Sequence, residues 1–220
     1  MSTPADTSAR RRRKEARPQE LLDAALALFV EKGFAATRAE EVAAHAGVSK
    51  GTLYLYFPSK EDLLKAVIAH CLSSRIADGA ARAAGFSGST TDLMRDILVQ
   101  WWVAIYDSQA SAVFKLVMTE VRNFPDIADY YMREVVQPAT ELLGSIVKRG
   151  IDSGEFRDVD IDSAVHSLVL PLIMICIHKH SLGACPPACL GGTLPVDGHA
   201  FIRNHLDLLL DGLRAPPAVR

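Results

Sequence analysis

Hydrophobic positions recur at helical spacing along most of this chain. Leu21, Leu22, Ala25, Leu28 and Phe29 fall at i, i+1, i+4, i+7 and i+8, which predicts a helix with one apolar face. No segment shows the strict alternation of apolar and polar residues that is typical of a β-strand. The sequence therefore predicts an all-α protein of about nine helices.

Capping signals divide the first part of the chain into short helices. We predict a first helix from residue 18, a second helix capped by Thr37 with Glu40 reaching back, and a third helix capped by Ser49. The turn Ala46-Gly47-Val48 separates the second and third helices, and Gly47 is free to adopt a positive φ. A short helix, a tight turn and a second short helix indicate helix-turn-helix geometry.

The remainder of the chain predicts longer helices. Apolar faces run over residues 93–106, and a long pattern over 127–151 contains Pro138, which should kink the helix. We predict helix 8 at about 160–180 and helix 9 at about 198–212, joined by a Gly/Pro/Cys-rich loop.

Charge is distributed unevenly, although the net charge of the chain is only −2. The first 60 residues hold 10 Lys/Arg against 7 Asp/Glu, whereas the other residues hold 14 against 19. A basic N-terminal end on a weakly acidic body indicates that this end meets an anion. We predict three segments: a basic disordered arm (1–16), a helix-turn-helix domain (17–62) and a helical ligand-binding and dimerisation domain (63–215).

Several classes of protein are disfavoured. The longest apolar run, 168–177, has 10 residues including Pro171, against the ~20 that span a bilayer, so no membrane contact is expected. Four Cys in 220 residues do not indicate a disulfide framework, which favours a cytoplasmic protein. Motifs of nucleophilic, phosphate-binding and zinc-dependent enzymes are missing from the sequence, so we expect no enzymatic activity, no cofactor and no metal.

The third predicted helix carries side chains suited to DNA. Val48, Leu53 and Phe57 should point into the small core, which leaves a polar and aromatic face outward. A glycine lets the helix approach a duplex closely, threonine and lysine can contact bases or phosphates, and tyrosines can donate to phosphates. The candidate DNA-contacting residues are Thr37, Arg38, Ser49, Lys50, Gly51, Thr52, Tyr54, Tyr56 and Lys60.

The stretch ELLDAALALFVEKGFAATRAEEVAAHAGVSKGTLYLYFPSKEDLLKAV, residues 20–67, strongly resembles the DNA-binding domain of the TetR family of bacterial transcriptional regulators. It covers about a fifth of the chain and includes the motif AGVS-x-GTLY-x-YF-x-SKE; Val42 stands where isoleucine is commoner. The resemblance implies an all-α homodimer that binds a palindromic double-stranded operator and is released by a small-molecule ligand. It also implies DNA contact at the candidate positions just named.

The resemblance implies a variable ligand-binding domain, and the apolar helices suggest where it dimerises. Residues 164–177 are apolar on nearly every face, so that helix needs cover on all sides. Pairing helices 8 and 9 of two subunits would supply that cover.

A ligand pocket is expected between the DNA-binding end and the dimer face. Pockets are mostly apolar with a few polar groups. We expect at most one of two adjacent tryptophans to face inward, and we expect an anionic ligand if Arg122 is buried without a partner. The candidate pocket residues are His70, Trp101, Trp102, Tyr106, Phe114, Met118 and Arg122.

Three alternatives remain open from the sequence. The regulator could respond to a protein partner, or to metal or redox state through His178, His180, Cys185 and Cys189. It could also activate transcription, since no residue decides between repressor and activator.

Overall fold

The computed structural model describes residues 4–185 and 196–216, with side chains from Arg17 onward. Within these residues nine helices follow one another, and two of them contain a π-helical turn. They are α1 (Pro4–Lys32), α2 (Ala39–His45), α3 (Lys50–Tyr56), α4 (Lys60–Ile68, π-turn Ala69–Ser73, Ser74–Gly85), α5 (Thr90–Asp107), α6 (Ser111–Glu120), α7 (Pro125–Tyr131, π-turn Met132–Val136, Gln137–Asp152), α8 (Ile161–Lys179) and α9 (Gly198–Leu213). This confirms the predicted all-α class and the number of helices.

The first helix begins earlier than the sequence predicted. Helix α1 starts at Pro4, so the segment expected to be a disordered arm is helical from that residue. Arginine, lysine, glutamate and alanine at positions 9–16 are strong helix formers, and they extend the helix upstream of Pro18. Pro18 lies inside the helix, where it removes one backbone donor.

Helices α1–α3 form a small head around one apolar cluster. Leu21, Phe29, Phe34, Val42 and Leu53 are each at most 1% exposed. The first part of α4 covers this cluster from the other side. Its buried residues are Leu63, Leu64, Val67 and Ile68.

The longer helices form a body whose core is continuous with that of the head. Helix α5 packs on α9, and α8 packs on α6, α7 and α9. Phe124, between α6 and α7, meets Phe34 of the head edge to face, with ring centroids 4.9 Å apart. The junction of α6 and α7 is therefore in direct contact with the head, and a movement of either helix would act on it.

Two glycines of α7 differ in the space around them. A Cβ at Gly150 would lie 2.2 Å from Cδ2 of the buried Phe156, whereas a Cβ at Gly144 would lie 3.5 Å from Ile161 Cγ2, an ordinary contact. The chain is thus closely packed at Gly150 and open at Gly144.

We predict that Gly150→Ala lowers the free energy of unfolding by about 1–3 kcal/mol, because Phe156 must leave its site. Gly144→Ala is the matched control and should raise it by up to about 1 kcal/mol, since alanine is the better helix former. Urea denaturation followed by circular dichroism measures both. Equal effects of the two variants would contradict this packing.

Candidate nucleic-acid interface and ligand cavity

The turn between α2 and α3 has the geometry that the sequence predicted. Gly47 has φ of +66°, a region that favours glycine. Ser49 caps α3, and its Oγ accepts a hydrogen bond from the Thr52 amide at 3.1 Å. Leu53 is fully buried and Val48 packs against the same cluster. These contacts fix the orientation of α3 on the head.

The outward face of α2 and α3 presents a ridge of exposed residues, which we call the α3 ridge: Arg38, Lys50, Gly51, Tyr54 and Leu55. Leu55 is 85% exposed and Tyr54 39% exposed. An apolar side chain this exposed has no partner within the head.

Lys50 is held on the α3 ridge by an exposed ion pair. Its ammonium pairs with the Glu40 carboxylate and lies 5.7 Å from the centroid of the Tyr54 ring. The hydrogen bond between the two raises the pKa of Lys50 and lowers the pKa of Glu40. Such an exposed pair is weak, so a phosphate could displace the carboxylate.

The conformation and contacts of Gly51 within the head do not require a glycine. It lies in a helix, its φ is not positive, and an added Cβ would meet only Ser49 Oγ, at 3.8 Å. Its surroundings within the head would accept alanine. A missing side chain at this position is therefore useful only toward a molecule outside the head.

Thr37 does not occupy its predicted place. Arg38 is the N-cap of α2, and its amide donates to Glu41 Oε2 at 2.9 Å, so the predicted pairing of Thr37 and Glu40 is shifted by one residue. The Thr37 side chain is 1% exposed, and its hydroxyl donates to the Gly33 carbonyl at 2.7 Å. The prediction that this side chain contacts DNA is therefore wrong.

The Lys60 side chain is half-buried and bonds to the head itself. Its ammonium donates to the carbonyls of Phe34, Ala35 and Thr37 at 2.8, 3.3 and 3.1 Å and lies 4.4 Å from the Phe34 ring centroid. These three bonds satisfy carbonyls beyond the end of α1. The side chain positions the loop before α2.

The other predicted contacts lie around the α3 ridge. Ser49 is exposed, and its hydroxyl is 2.9 Å from that of Thr52, which is half-buried. Tyr56 is also half-buried and packs against the core. The structure thus brings together most of the predicted set, with Leu55 as an exposed neighbour.

The body holds an apolar cavity of about 180 Å³ between α4, α5, α6, α7 and α8. Four of the predicted pocket residues line it: Trp101, Trp102, Phe114 and Met118. The expectation that only one tryptophan faces inward is wrong. Adjacent helical residues point about 100° apart, and the cavity is wide enough to be bordered by both.

Three predicted pocket residues lie elsewhere. Arg122 is exposed, and Tyr106 packs beneath Gly198 at the start of α9, with Lys179 Nζ 4.6 Å from its ring centroid. His70 lines a separate cleft of about 650 Å³ between head and body, with Nε2 3.1 Å from Gln19 Nε2. Because Arg122 is exposed, the condition set for expecting an anionic ligand is not met.

Most of the residues that line the cavity were not predicted from the sequence. Each π-turn contributes to it, through Leu72 in α4 and Val135 in α7, and α8 contributes a whole edge. Most of the lining residues are aliphatic, and only their convergence distinguishes them from other apolar residues of the chain. The unpredicted lining residues are Leu72, Ile76, Tyr131, Val135, Val136, Ala139, Thr140, Leu143, Val165, His166, Val169, Leu170 and Ile173.

The histidine and cysteine cluster after α8 gains no support as a metal site. Among the residues that the structure describes, no three His, Cys, Asp or Glu side chains are grouped to hold an ion. His180 Nε2 is 2.7 Å from Ser111 Oγ, and burial lowers the pKa of this imidazole. Cys185 is exposed, and Cys189 lies outside the described residues.

Helices α8 and α9 expose a row of large apolar side chains, the α8–α9 face: Leu170 (56% exposed), Met174 (61%) and Leu208 (72%). The segment Ile161–Ala184 is also long and apolar enough, by length and composition alone, to cross a membrane, with a mean hydropathy of 1.7. The same helix buries Leu168, Leu172 and Cys176 completely in the body. An exposed apolar face on a core helix favours a protein partner.

Comparison with known families agrees with both halves of this architecture. A family described as bacterial regulatory proteins, tetR family, matches residues 21–67, and a tetracyclin repressor-like C-terminal domain matches residues 87–182. The two matches coincide with the head and with most of the body.

Individual proteins resemble the chain over most of its length. The transcriptional repressor KstR2 of Rhodococcus jostii is 29% identical over 205 residues, 92% of this chain and 94% of that protein. The regulator YfiR of Bacillus subtilis is 30% identical over 148 residues, 66% of this chain and 71% of that protein. The structure of FadR from Bacillus subtilis in complex with stearoyl-CoA superposes with a TM-score of 0.63 at 18% identity, over 89% of this chain and 99% of that one.

A capped helix-turn-helix head, a helical body with a cavity and the matches to both domains lead to one conclusion. The chain belongs to the TetR family of transcriptional regulators.

Proposed function

We propose that this chain is a cytoplasmic repressor that binds a palindromic operator as a homodimer and is released when a small molecule fills the body cavity. The α3 ridge carries the proposal, since Gly51 lacks a side chain where the head itself has room for one. That arrangement fits an α-helix placed against a base edge or a DNA backbone. KstR2 is a repressor, which supports the same direction of control here.

The proposed DNA contacts follow the exposed side chains. Arg38 and Lys50 neutralise phosphates, Thr52 and Gly51 approach the bases, and Tyr54 donates to the backbone. Ser49, Tyr56 and the exposed Leu55 complete the surface, and a thymine methyl suits Leu55. Lys60 holds the head together and does not reach the duplex.

The homodimer is proposed to form through the α8–α9 face. Burying Leu170, Met174 and Leu208 against their symmetry mates removes apolar surface from water. A two-fold axis then presents two α3 ridges to successive major grooves, ~34 Å apart. Operator symmetry would mirror that axis.

The two π-turns give a route from the cavity to the head. Leu72 lines the cavity from the π-turn of α4, and the same helix buries Leu63 and Leu64 in the head. The π-turn of α4 contacts that of α7, which supplies Val135 to the cavity wall. A π-turn holds one residue more per turn than its neighbours, so repacking it would rotate or shift the rest of the helix.

A small preference is enough for release. A ligand that favours the non-binding head spacing by about 1–3 kcal/mol changes operator affinity about 5- to 150-fold. FadR of Bacillus subtilis, which has a similar fold, forms a complex with stearoyl-CoA, and this supports a small-molecule ligand here. The proposed domain boundaries are 17–62 and 63–215, with α4 belonging to both cores. No residue is assigned a catalytic step.

We predict that Gly51→Ala leaves the fold intact, with a free energy of unfolding equal to the wild type or up to about 1 kcal/mol higher. Its affinity for a duplex selected from a random library should fall at least about tenfold, because the methyl group blocks close approach. Fluorescence anisotropy of labelled DNA measures the affinity. Gly144→Ala, in the body, is the control and should bind like the wild type; unchanged binding by Gly51→Ala would remove α3 from the groove.

Two lysines should behave differently in salt. Lys50→Ala is expected to reduce the slope of log affinity against log salt concentration by about one, since one phosphate contact disappears. Lys60→Met should leave that slope unchanged and lower the free energy of unfolding by about 1–3 kcal/mol, because three carbonyls lose a charged donor. The reverse pattern would place Lys60 on the DNA and Lys50 off it.

We predict that Leu208→Asp converts the protein to a monomer at micromolar concentration, since a charge at the centre of an apolar interface is not compensated. Met132→Asp alters another exposed apolar residue, 55% exposed and on α7, and should remain a dimer. Sedimentation velocity distinguishes the two. A dimeric Leu208→Asp would exclude the α8–α9 face as the interface.

A further inference from the structure

Leu55 is the most exposed large apolar side chain in the part of the chain that the structure describes. It is 85% exposed, against 72% for Leu208 on the α8–α9 face. The other large apolar side chains that the described part of the head exposes, Val30 and Tyr54, are only 38% and 39% exposed. Leu55 is therefore a single protruding apolar group, which is too small a surface to bind a folded protein partner.

Helix geometry places Leu55 on the outermost line of α3. Gly51 and Leu55 lie two positions to either side of the fully buried Leu53, and are therefore within about 20° of the direction opposite to it. Thr52 and Tyr54 point about 100° away from Leu53, one on each flank of the helix. Because Gly51 has no side chain, Leu55 is the side chain of α3 that projects from the outermost line.

The outermost line of a helix in the major groove meets the edges of the base pairs. Those edges carry hydrogen-bond donors and acceptors, and their apolar group is the 5-methyl of thymine, or of cytosine when that base is methylated. A leucine side chain neither donates nor accepts a hydrogen bond. Against a polar edge it would remove water from donors and acceptors without replacing their hydrogen bonds, which is unfavourable. A pyrimidine methyl is therefore the base-edge group that Leu55 fits.

We propose that Leu55 is a specificity-determining residue: each operator half-site places a thymine against Leu55, and the leucine side chain packs on its 5-methyl group. This assignment rests on the proposed function, because it requires α3 to lie in the major groove. On one flank of α3, the Lys50 ammonium lies 5.7 Å from the centroid of the Tyr54 ring, and both side chains reach the DNA backbone. Contacts with the backbone are the same for every sequence, whereas the contact of Leu55 is lost when the thymine is replaced.

The test uses the full chain and a duplex that the wild-type protein selects from a random library. Each thymine of a half-site, together with its symmetry mate, is replaced in turn by uracil, which removes the 5-methyl group and keeps every hydrogen-bonding atom. One such pair should weaken binding about fifteenfold, or about fourfold per half-site, because a buried methyl group is lost at each. At that pair, 5-methylcytosine·guanine should bind more tightly than cytosine·guanine by a similar ratio, since the same methyl group is restored.

Leu55→Ala connects the effect of the methyl group with Leu55. The side chain is exposed, so this variant should keep the Tm of the wild type. Its ratio of uracil-duplex to thymine-duplex dissociation constants at the sensitive pair should fall from about fifteen to below about four, because the shorter side chain leaves the methyl group in water. Lys50→Ala, on the same helix, is the matched control; it should weaken binding of both duplexes and keep the ratio near about fifteen. Fluorescence anisotropy at low salt keeps the weakest complexes measurable.

Three results would each overturn the role of Leu55 and leave the proposed function standing. They are a selected duplex on which no change of thymine to uracil weakens wild-type binding, no gain from 5-methylcytosine at the sensitive pair, and a ratio that Leu55→Ala leaves unchanged. The last result would make Leu55 a contact to the DNA backbone. If the chain selects no duplex from the library, the proposed function fails, and the role of Leu55 fails with it.

Discussion

Helix α4 is buried in two hydrophobic cores at once, and the rest of the structure depends on this sharing. Its first two turns place Leu63 and Leu64 among the helices of the head, while Leu72 and Ile76 face the body cavity. The π-turn lies between these two regions. Because packed interiors resist continuous deformation, a change of cavity contents is accommodated most readily where the helix is already irregular. The junction of Phe34 and Phe124 adds a second contact between head and body.

The α3 ridge and the body cavity differ in polarity. The α3 ridge presents Lys50 in an exposed ion pair with Glu40, so a polyanion can displace that carboxylate. The cavity has no Lys, Arg, Asp or Glu among its lining residues, and most of its wall is aliphatic or aromatic. The chain thus presents charged groups on the outside of the head and mostly apolar groups to the cavity. Helix α4 connects the two sites, because it contributes residues both to the core of the head and to the cavity wall.

The differences between prediction and structure have local physical causes. Thr37 and Lys60 were expected to contact DNA, but the Thr37 hydroxyl donates to the Gly33 carbonyl and the Lys60 ammonium donates to three carbonyls in the loop after α1. The rule that adjacent helical residues diverge excluded one tryptophan, yet a cavity wider than one side chain is bordered by both. Arg122 and Tyr106 lie on helical faces whose orientation depends on how α6 and α5 pack, and spacing alone does not determine that.

Sequence alone determined the features that arise from neighbouring residues: the helical class, the turn at Gly47, the cap at Ser49 and the motif that places most of the α3 ridge. Helix periodicity, positive φ and capping are short-range effects, so they can be read within a few residues. Only the tertiary structure decided the cavity lining and the contacts of Lys60 with the head. The cavity lining depends on the convergence of mostly apolar residues from α4 to α8, which are separated by up to about a hundred positions. The role of Lys60 depends on carbonyls of residues 34–37, which lie more than twenty positions earlier in the chain.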